Sequence, residues 1–237
     1  MKNNFKLLAS SISLIAIFLT TSLVFAQEDH MQKSELEQDS PIPLNSSGGS
    51  EIGYIYEAFL SPHQEGGEEE EAPFLTPPQF LSTEPSIPRN DRDARGHAVI
   101  EFTKDFSRAY VYLAVENVNP EDVVLLHLHC GRPGQLGPII IDFALMGNLQ
   151  DMLADNILKV EITNEDIVAA VNHGEGLVGA FTAGCPITLA VPTDKIKTVA
   201  GLAMVARDGE LYFNLHTKAQ TFFGDMRGEF FPASLGD

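Results

Sequence analysis

Tryptophan is absent from this 237-residue chain, cysteine occurs only twice, and 15 basic residues stand against 33 acidic ones. Two cysteines exclude a disulfide-dense miniprotein. The formal net charge of −18 argues against a surface built for nucleic acid or anionic lipid, since both call for a positive field. There is no Walker loop, no dinucleotide-binding fingerprint and no Gly-x-Ser-x-Gly turn, so neither a nucleotide-dependent enzyme nor a hydrolase is indicated. After Leu23 no second apolar run is long enough to span a bilayer. What remains is ordinary: 44% hydrophobic residues, enough to bury a core.

Residues 1–26 read as a secretory signal. Lys2 and Lys6 precede an apolar stretch from Leu7 to Leu23, and Val24-Phe25-Ala26 leads into Gln27, which favours cleavage after Ala26. An uncleaved anchor is the alternative, because the stretch approaches the roughly 20 residues of a spanning helix. Either way the domain is expected outside the cytoplasm, secreted or periplasmic. Export permits a disulfide, and Cys130 and Cys185 are expected to be bridged, with two buried free thiols as the alternative.

Residues 27–51 are rich in Gln, Glu, Ser and Pro and read as a disordered linker. A single domain then covers residues 52–233, with an acidic, proline-rich insertion at 61–95. Residues 27–96 hold 15 acidic and 4 basic residues, against 18 and 9 in 97–237. The run Glu68-Glu69-Glu70-Glu71 reads as a solvated tract, with a weak divalent-cation brush as the alternative.

Strands are expected at 52–60, 97–103, 108–118, 123–129, 138–145, 157–162, 177–182, 187–191, 198–206, 210–217 and 227–231. Many short strands at such spacings indicate an all-β antiparallel sandwich. Asn164–Val171 is the best helical exception, with Thr163 or Asn164 as its cap. Arg207-Asp208-Gly209 is expected to be a tight hairpin turn pairing 198–206 with 210–217.

Alternation along the strands sorts the side chains. In 210–217, Leu211, Phe213 and Leu215 share the core face, while Tyr212, Asn214 and His216 share the other. In 125–129, Leu126 and Leu128 point inward and His127 and His129 lie together on the opposite face, about 7 Å apart along the strand. Such a pair can chelate one ion. The segment that follows, Cys130-Gly-Arg-Pro-Gly-Gln-Leu-Gly-Pro138, must be a shaped loop, and its Gly131, Gly134, Gly137 and Pro138 are candidate structural residues.

His127-Leu-His-Cys-Gly-Arg-Pro-Gly-Gln-Leu-Gly-Pro138, Gly209-Glu-Leu-Tyr-Phe-Asn-Leu-His-Thr217 and Gly224-Asp-Met-Arg-Gly-Glu229 together resemble the CHRD (chordin-type) domain family. Asp225 and Met226 stand where the family has Glu and Ile. The resemblance covers roughly 52–232. It implies an extracellular, immunoglobulin-like sandwich, found as repeats in an animal growth-factor antagonist and as single copies in exported microbial proteins. The His-x-His strand and the glycine-flanked Arg227 are also similar to the copper-zinc superoxide dismutase sandwich, in which paired histidines hold copper and an arginine guides the anion. A bridging histidine and a zinc loop are not recognisable: Asp142, Asp151, Asp155 and His173 lie at unrelated spacings.

Two functions follow. One is a binding module for an extracellular protein or glycan, with no evident enzyme activity. The other is a metal-binding, redox-capable protein in which His127, His129 and His216 hold copper or zinc with one position open, His97 being a conceivable fourth ligand. The opposing structural expectation is that these histidines only brace the loops, with Tyr212, Asn214, Thr217, Arg227 and Glu229 fixing the turns around them. Ring nitrogens within about 4 Å of one another would favour a metal, and rings aimed at separate carbonyls would favour scaffolding.

Overall fold

The computed structural model describes residues 45–173, 182–188 and 191–233. The expected signal at 1–26, most of the expected linker and all but the last residue of the expected strand 177–182 lie outside the described residues. Strands β1 (Ile52–Leu60), β2 (Arg95–Thr103), β3 (Ala109–Glu116), β4 (Val123–Cys130) and β5 (Ile139–Asp142) are followed by helix α1 (Leu149–Met152), β6 (Ile157–Ile162) and helix α2 (Asn164–His173). Then come β7 (Pro186–Thr188), β8 (Val191–Lys195), helix α3 (Val199–Arg207), β9 (Leu211–Thr217), β10 (Met226–Glu229) and β11 (Phe231–Pro232).

Two antiparallel sheets make an all-β sandwich, in the orders β11-β1-β2-β3-β6 and β10-β9-β4-β5, and β7-β8 forms a separate hairpin. Period-two alternation supplies the shared core. Ala98, Ile100 and Phe102 on β2 and Ala109, Val111 and Leu113 on β3 face it from the larger sheet; Leu126 and Leu128 on β4 and Leu211, Phe213 and Leu215 on β9 face it from the smaller. The expected strand 227–231 is divided between the two sheets. Its first part pairs with β9, Phe230 is buried at the crossing, and Phe231–Pro232 pairs with β1.

Residues 198–206 are a helix, not a strand. The Thr198 hydroxyl accepts from Gly201 N at 3.1 Å, and Val199, Leu202, Ala203 and Ala206 form a buried stripe at helical spacing. A short apolar run fits both periods, and the N-cap decides between them. Consequently Arg207-Asp208-Gly209 is not a hairpin turn but a helix end. Gly209 N donates to Ala206 O and Glu210 N to Val205 O, with Gly209 at φ +69°, the left-handed conformation glycine adopts freely. Smaller differences follow the same logic of local capping. The expected strand 138–145 ends at Asp142, whose carboxylate accepts from Ala144 N and starts a 3₁₀ turn over Phe143–Leu145. The expected strand 187–191 spans the β7–β8 hairpin instead of one strand.

Cys130, the last residue of β4, is bonded to Cys185, just ahead of β7. This ties the β7–β8 hairpin to the smaller sheet, where Gly184 N also donates to Ile139 O at 2.6 Å. The bridge closes a separation of 55 residues, which the chain-entropy model values at about 4 kcal/mol. The double variant Cys130→Ala/Cys185→Ala is therefore expected to unfold with a free energy about 4 kcal/mol lower, read from urea melts beside the oxidised parent. A loss below about 1 kcal/mol would mean that the unfolded chain is already constrained there.

Candidate metal centre

The outer face of a sandwich sheet is ordinarily wet. On the smaller sheet it is not: every residue of β9 and β10 is buried. This second face carries His127 and His129 from β4, Tyr212, Asn214 and His216 from β9, and Arg227 and Glu229 from β10, all nearly removed from solvent. Three segments roof it: the loop 131–138, the loop 218–225, and a strap of 3₁₀ turns running through residues 62–91.

The acidic run of the strap is solvated only in part: Glu70 and Glu71 are exposed, while Glu68 and Glu69 are half-buried and engaged. The Glu69 carboxylate accepts from the amides of Phe222 and Phe223 at 3.0 and 3.3 Å, and the Ser82 hydroxyl accepts from Thr221 N. Arg92, buried, donates to the carbonyls of Gly224 and Asp225 and to Glu68 at 3.1 Å. Gln220 reaches back to Ile87 O. Glu65 is buried among these groups and its carboxyl is raised well above the ordinary range by burial, against the opposing pull of Arg227 and Arg92. Glu65, Glu69, Phe80 and Arg92 escaped the sequence reading because their partners lie far away in the chain.

Arg227 is the largest fully buried side chain among the described residues. Its Nε and Nη2 meet one oxygen of Glu229 at 2.7 and 2.6 Å, and Nη1 and Nη2 donate to the carbonyls of Gln135 and Arg132. Its guanidinium lies 3.4 Å over the Tyr212 ring, whose other face stacks on His129 at 4.8 Å with 4° between the planes. Tyr212 Oη accepts from Gly137 N at 2.9 Å, and Gly137 O is 2.8 Å from His129 Nδ1. A side chain on Gly137 would lie 1.7 Å from Cys130 O, so only glycine permits this approach. Gly131 N donates to Glu210 O, Gly134 takes φ +75° and Pro138 O accepts from Cys130 N. Asn214 donates to Phe223 O, and Thr217 O accepts from Gln220 N and the Thr221 hydroxyl, which closes the second loop.

The three histidines converge. Ring centroids are 5.2 Å apart for His127–His129, 5.4 Å for His127–His216 and 6.4 Å for His129–His216, and one nitrogen of each lies within 4.8 Å of those of the others. The spread exceeds the expected distance of about 4 Å, and two of the rings are aimed at separate carbonyls, as scaffolding predicts, so convergence and scaffolding occur together. His129 Nδ1 faces Gly137 O and His216 Nδ1 faces Thr221 O at 2.9 Å. A carbonyl only accepts, so each Nδ1 carries the proton and each Nε2 keeps its lone pair. His127 differs, with Nε2 3.6 Å from Asp142 and Nδ1 buried. His127 Nδ1, His129 Nε2 and His216 Nε2 are all buried without a partner.

Burial holds all three rings neutral: His127 well below the ordinary histidine range, His129 near about 3 and His216 near about 4, with their mutual repulsion lowering His127 and His129 further. Desolvation likewise raises Asp142, and pushes Tyr212 up to about 12. Spacing along the chain gives Asp142 no link to the histidines. Register is what brings it in, because His127 pairs directly with Asp142 across β4 and β5. His97 is elsewhere, stacked on Phe59 at 4.4 Å beside Glu57 on the larger sheet. A cavity of about 140 Å³ opens onto the three rings, walled by Phe80, Leu125, Leu136, Ile139 and Phe222.

A family model described as the CHRD domain matches residues 79–230, beginning inside the strap. No curated protein and no solved structure matches the chain. No helix among the described residues is long and apolar enough to cross a membrane.

A histidine whose folded pKa lies below its unfolded value near 6.5 contributes stability that is complete above pH 6.5 and lost as pH falls towards 4 and below. Glu65, Asp225 and Glu229, raised by burial, act oppositely, their contribution being lost as pH rises. The test is therefore relative: in chelator-treated protein, His129→Gln is expected to gain on the parent in urea midpoint as pH falls from 6.5 to 4. A constant gap would mean that the His129 ring titrates as if solvated.

Proposed function

The chain belongs to the CHRD domain family, and from its three buried, unpartnered imidazole nitrogens we propose that it is a metal-binding member that holds one copper ion. The single observation carrying this reading is the set of buried, unpartnered His127 Nδ1, His129 Nε2 and His216 Nε2 beside an open cavity. Leaving three buried acceptors unsatisfied costs roughly 1–3 kcal/mol each, a cost that a cation removes. The rings need no deprotonation at neutral pH, since burial already keeps them neutral. Imidazole ligands suit both copper and zinc, and the divalent affinity order places copper above zinc.

Planar coordination at about 2.0 Å needs nitrogens about 3.5 Å apart, so from a spread of up to 4.8 Å the rings would close by about an ångström. Gly137 O, Thr221 O and Asp142 are the outer partners that would keep the ligating nitrogens unprotonated and aimed. Bound copper would supply one-electron chemistry and an open coordination position. The disulfide fits the oxidising compartment expected from the first 26 residues, secreted or periplasmic. A second reading, the binding module for an extracellular protein or glycan, is favoured by Phe74 and Leu75, which stand almost fully exposed on the strap.

Elemental analysis after copper loading and desalting tests the first reading. The parent is expected to retain one copper per chain and His127→Ala/His216→Ala none, while Asp142→Asn weakens retention by about 10- to 100-fold. Equal metal in the parent and the double variant would overturn the copper reading and leave the binding module.

A further inference from the structure

The cavity above the histidines says what class of molecule could meet a metal there, and the inference rests on the copper reading. Five of its thirteen lining residues are the apolar Phe80, Leu125, Leu136, Ile139 and Phe222, and none of the thirteen is acidic, lysine or arginine. At about 140 Å³ it matches cavities that take a benzene-sized guest, so a peptide or sugar chain is too large to enter.

The two buried guanidiniums are spent elsewhere. Arg227 gives its donors to Glu229 and to the carbonyls of Gln135 and Arg132, and Arg92 gives its own to Glu68 and to the carbonyls of Gly224 and Asp225. Neither lines the cavity. Arg227 is thus not placed to guide an anion, which is the role that its resemblance to the dismutase arginine would imply. The long-range field is also adverse, since the chain carries −18.

Local charge balance points the same way. Asp142 lies 3.6 Å from His127 Nε2, while His127 Nδ1 is buried without a partner. One carboxylate offsets one unit of positive charge, so copper in its cuprous state with three neutral imidazoles and Asp142 sums to zero. An added anion would leave a net buried negative charge in an apolar setting, and such a charge is costly. An uncharged ligand leaves the balance untouched.

We infer that the open position at His127, His129 and His216 selects a small uncharged molecule of a few atoms, of the class of dioxygen and carbon monoxide, and rejects small anions. The selectivity comes from the apolar walls, from the guanidiniums engaged elsewhere and from the carboxylate that already balances the reduced metal.

Carbon monoxide and azide separate the outcomes. Copper-loaded protein, its copper content measured first, is reduced under argon and titrated with carbon monoxide, read as a C–O stretching band; azide is then titrated into the same reduced carbonyl form, read as loss of that band. The parent is expected to take one carbon monoxide per copper and to bind azide about tenfold more weakly than Leu136→Arg, which sets a cation at the exposed lip of the cavity. Carbon monoxide binding should be the same in both proteins. If the parent retains copper yet shows no carbonyl band, or binds azide as tightly as Leu136→Arg, the ligand class is wrong. If the parent retains no copper, the metal reading itself has failed and the ligand class goes with it. Should Leu136→Arg not fold, Leu136→Lys serves as the cationic variant and the carbon monoxide titration of the parent still decides.

Discussion

The buried guanidinium of Arg227 is the constraint around which this domain is organised. A charge taken out of water must be paired and fully hydrogen-bonded, and removing a partner from such a group typically costs about 3–5 kcal/mol. Glu229 supplies the opposite charge two residues along the same strand, but a single carboxylate oxygen leaves further donors to satisfy. The carbonyls of Arg132 and Gln135 do so, which pins the glycine-rich loop over the sheet. The remaining face of the cation rests on Tyr212. Loop shape, tyrosine position and strand β10 are thereby set by one side chain.

From that point the order passes to the histidines by contact. Tyr212 presents its second face to His129 and its hydroxyl to Gly137 N, while Gly137 returns its carbonyl to His129 Nδ1. The circuit fixes both the plane of the ring and its tautomer. On the other loop, Thr221 O does the same for His216 under the grip of Glu69 on the adjacent amides. The strap that resembles a surface insertion in composition is therefore the element that dries the site. Its carboxylates act as backbone acceptors, and Phe80 closes one wall of the cavity.

Much of this was legible in the sequence wherever the information is local. Alternation put His127 and His129 on one face and Tyr212, Asn214 and His216 on another, and the register of β4 with β9 makes those two faces the same one: His127 sits opposite Asn214 and His129 opposite Tyr212. The loop glycines were visible as glycines. What escaped depends on partners distant in the chain or on a choice between two local patterns. Asp142 enters through strand register, and Glu69 through amides more than 150 residues away. Val199–Arg207 carries an apolar pattern that suits a strand as well as a helix, and the Asp-Gly pair that suggests a hairpin closes a helix with the same positive φ.

The same desolvation governs stability and ligand supply. Drying the outer face of the smaller sheet disfavours charged imidazole, so these three rings oppose folding in acid, and it delivers three lone pairs that no proton occupies at neutral pH. A solvated cluster would be cheaper to keep but would have to expel water and, below pH 6.5, protons before taking a cation. Here those costs are met during folding, by the burial that also satisfies Arg227. A fold that needed only a stable sandwich could place apolar side chains on this face and save the strap, the two glycine-bearing loops and the buried ion pair. Retaining three unpartnered nitrogens instead is intelligible if they have something to hold.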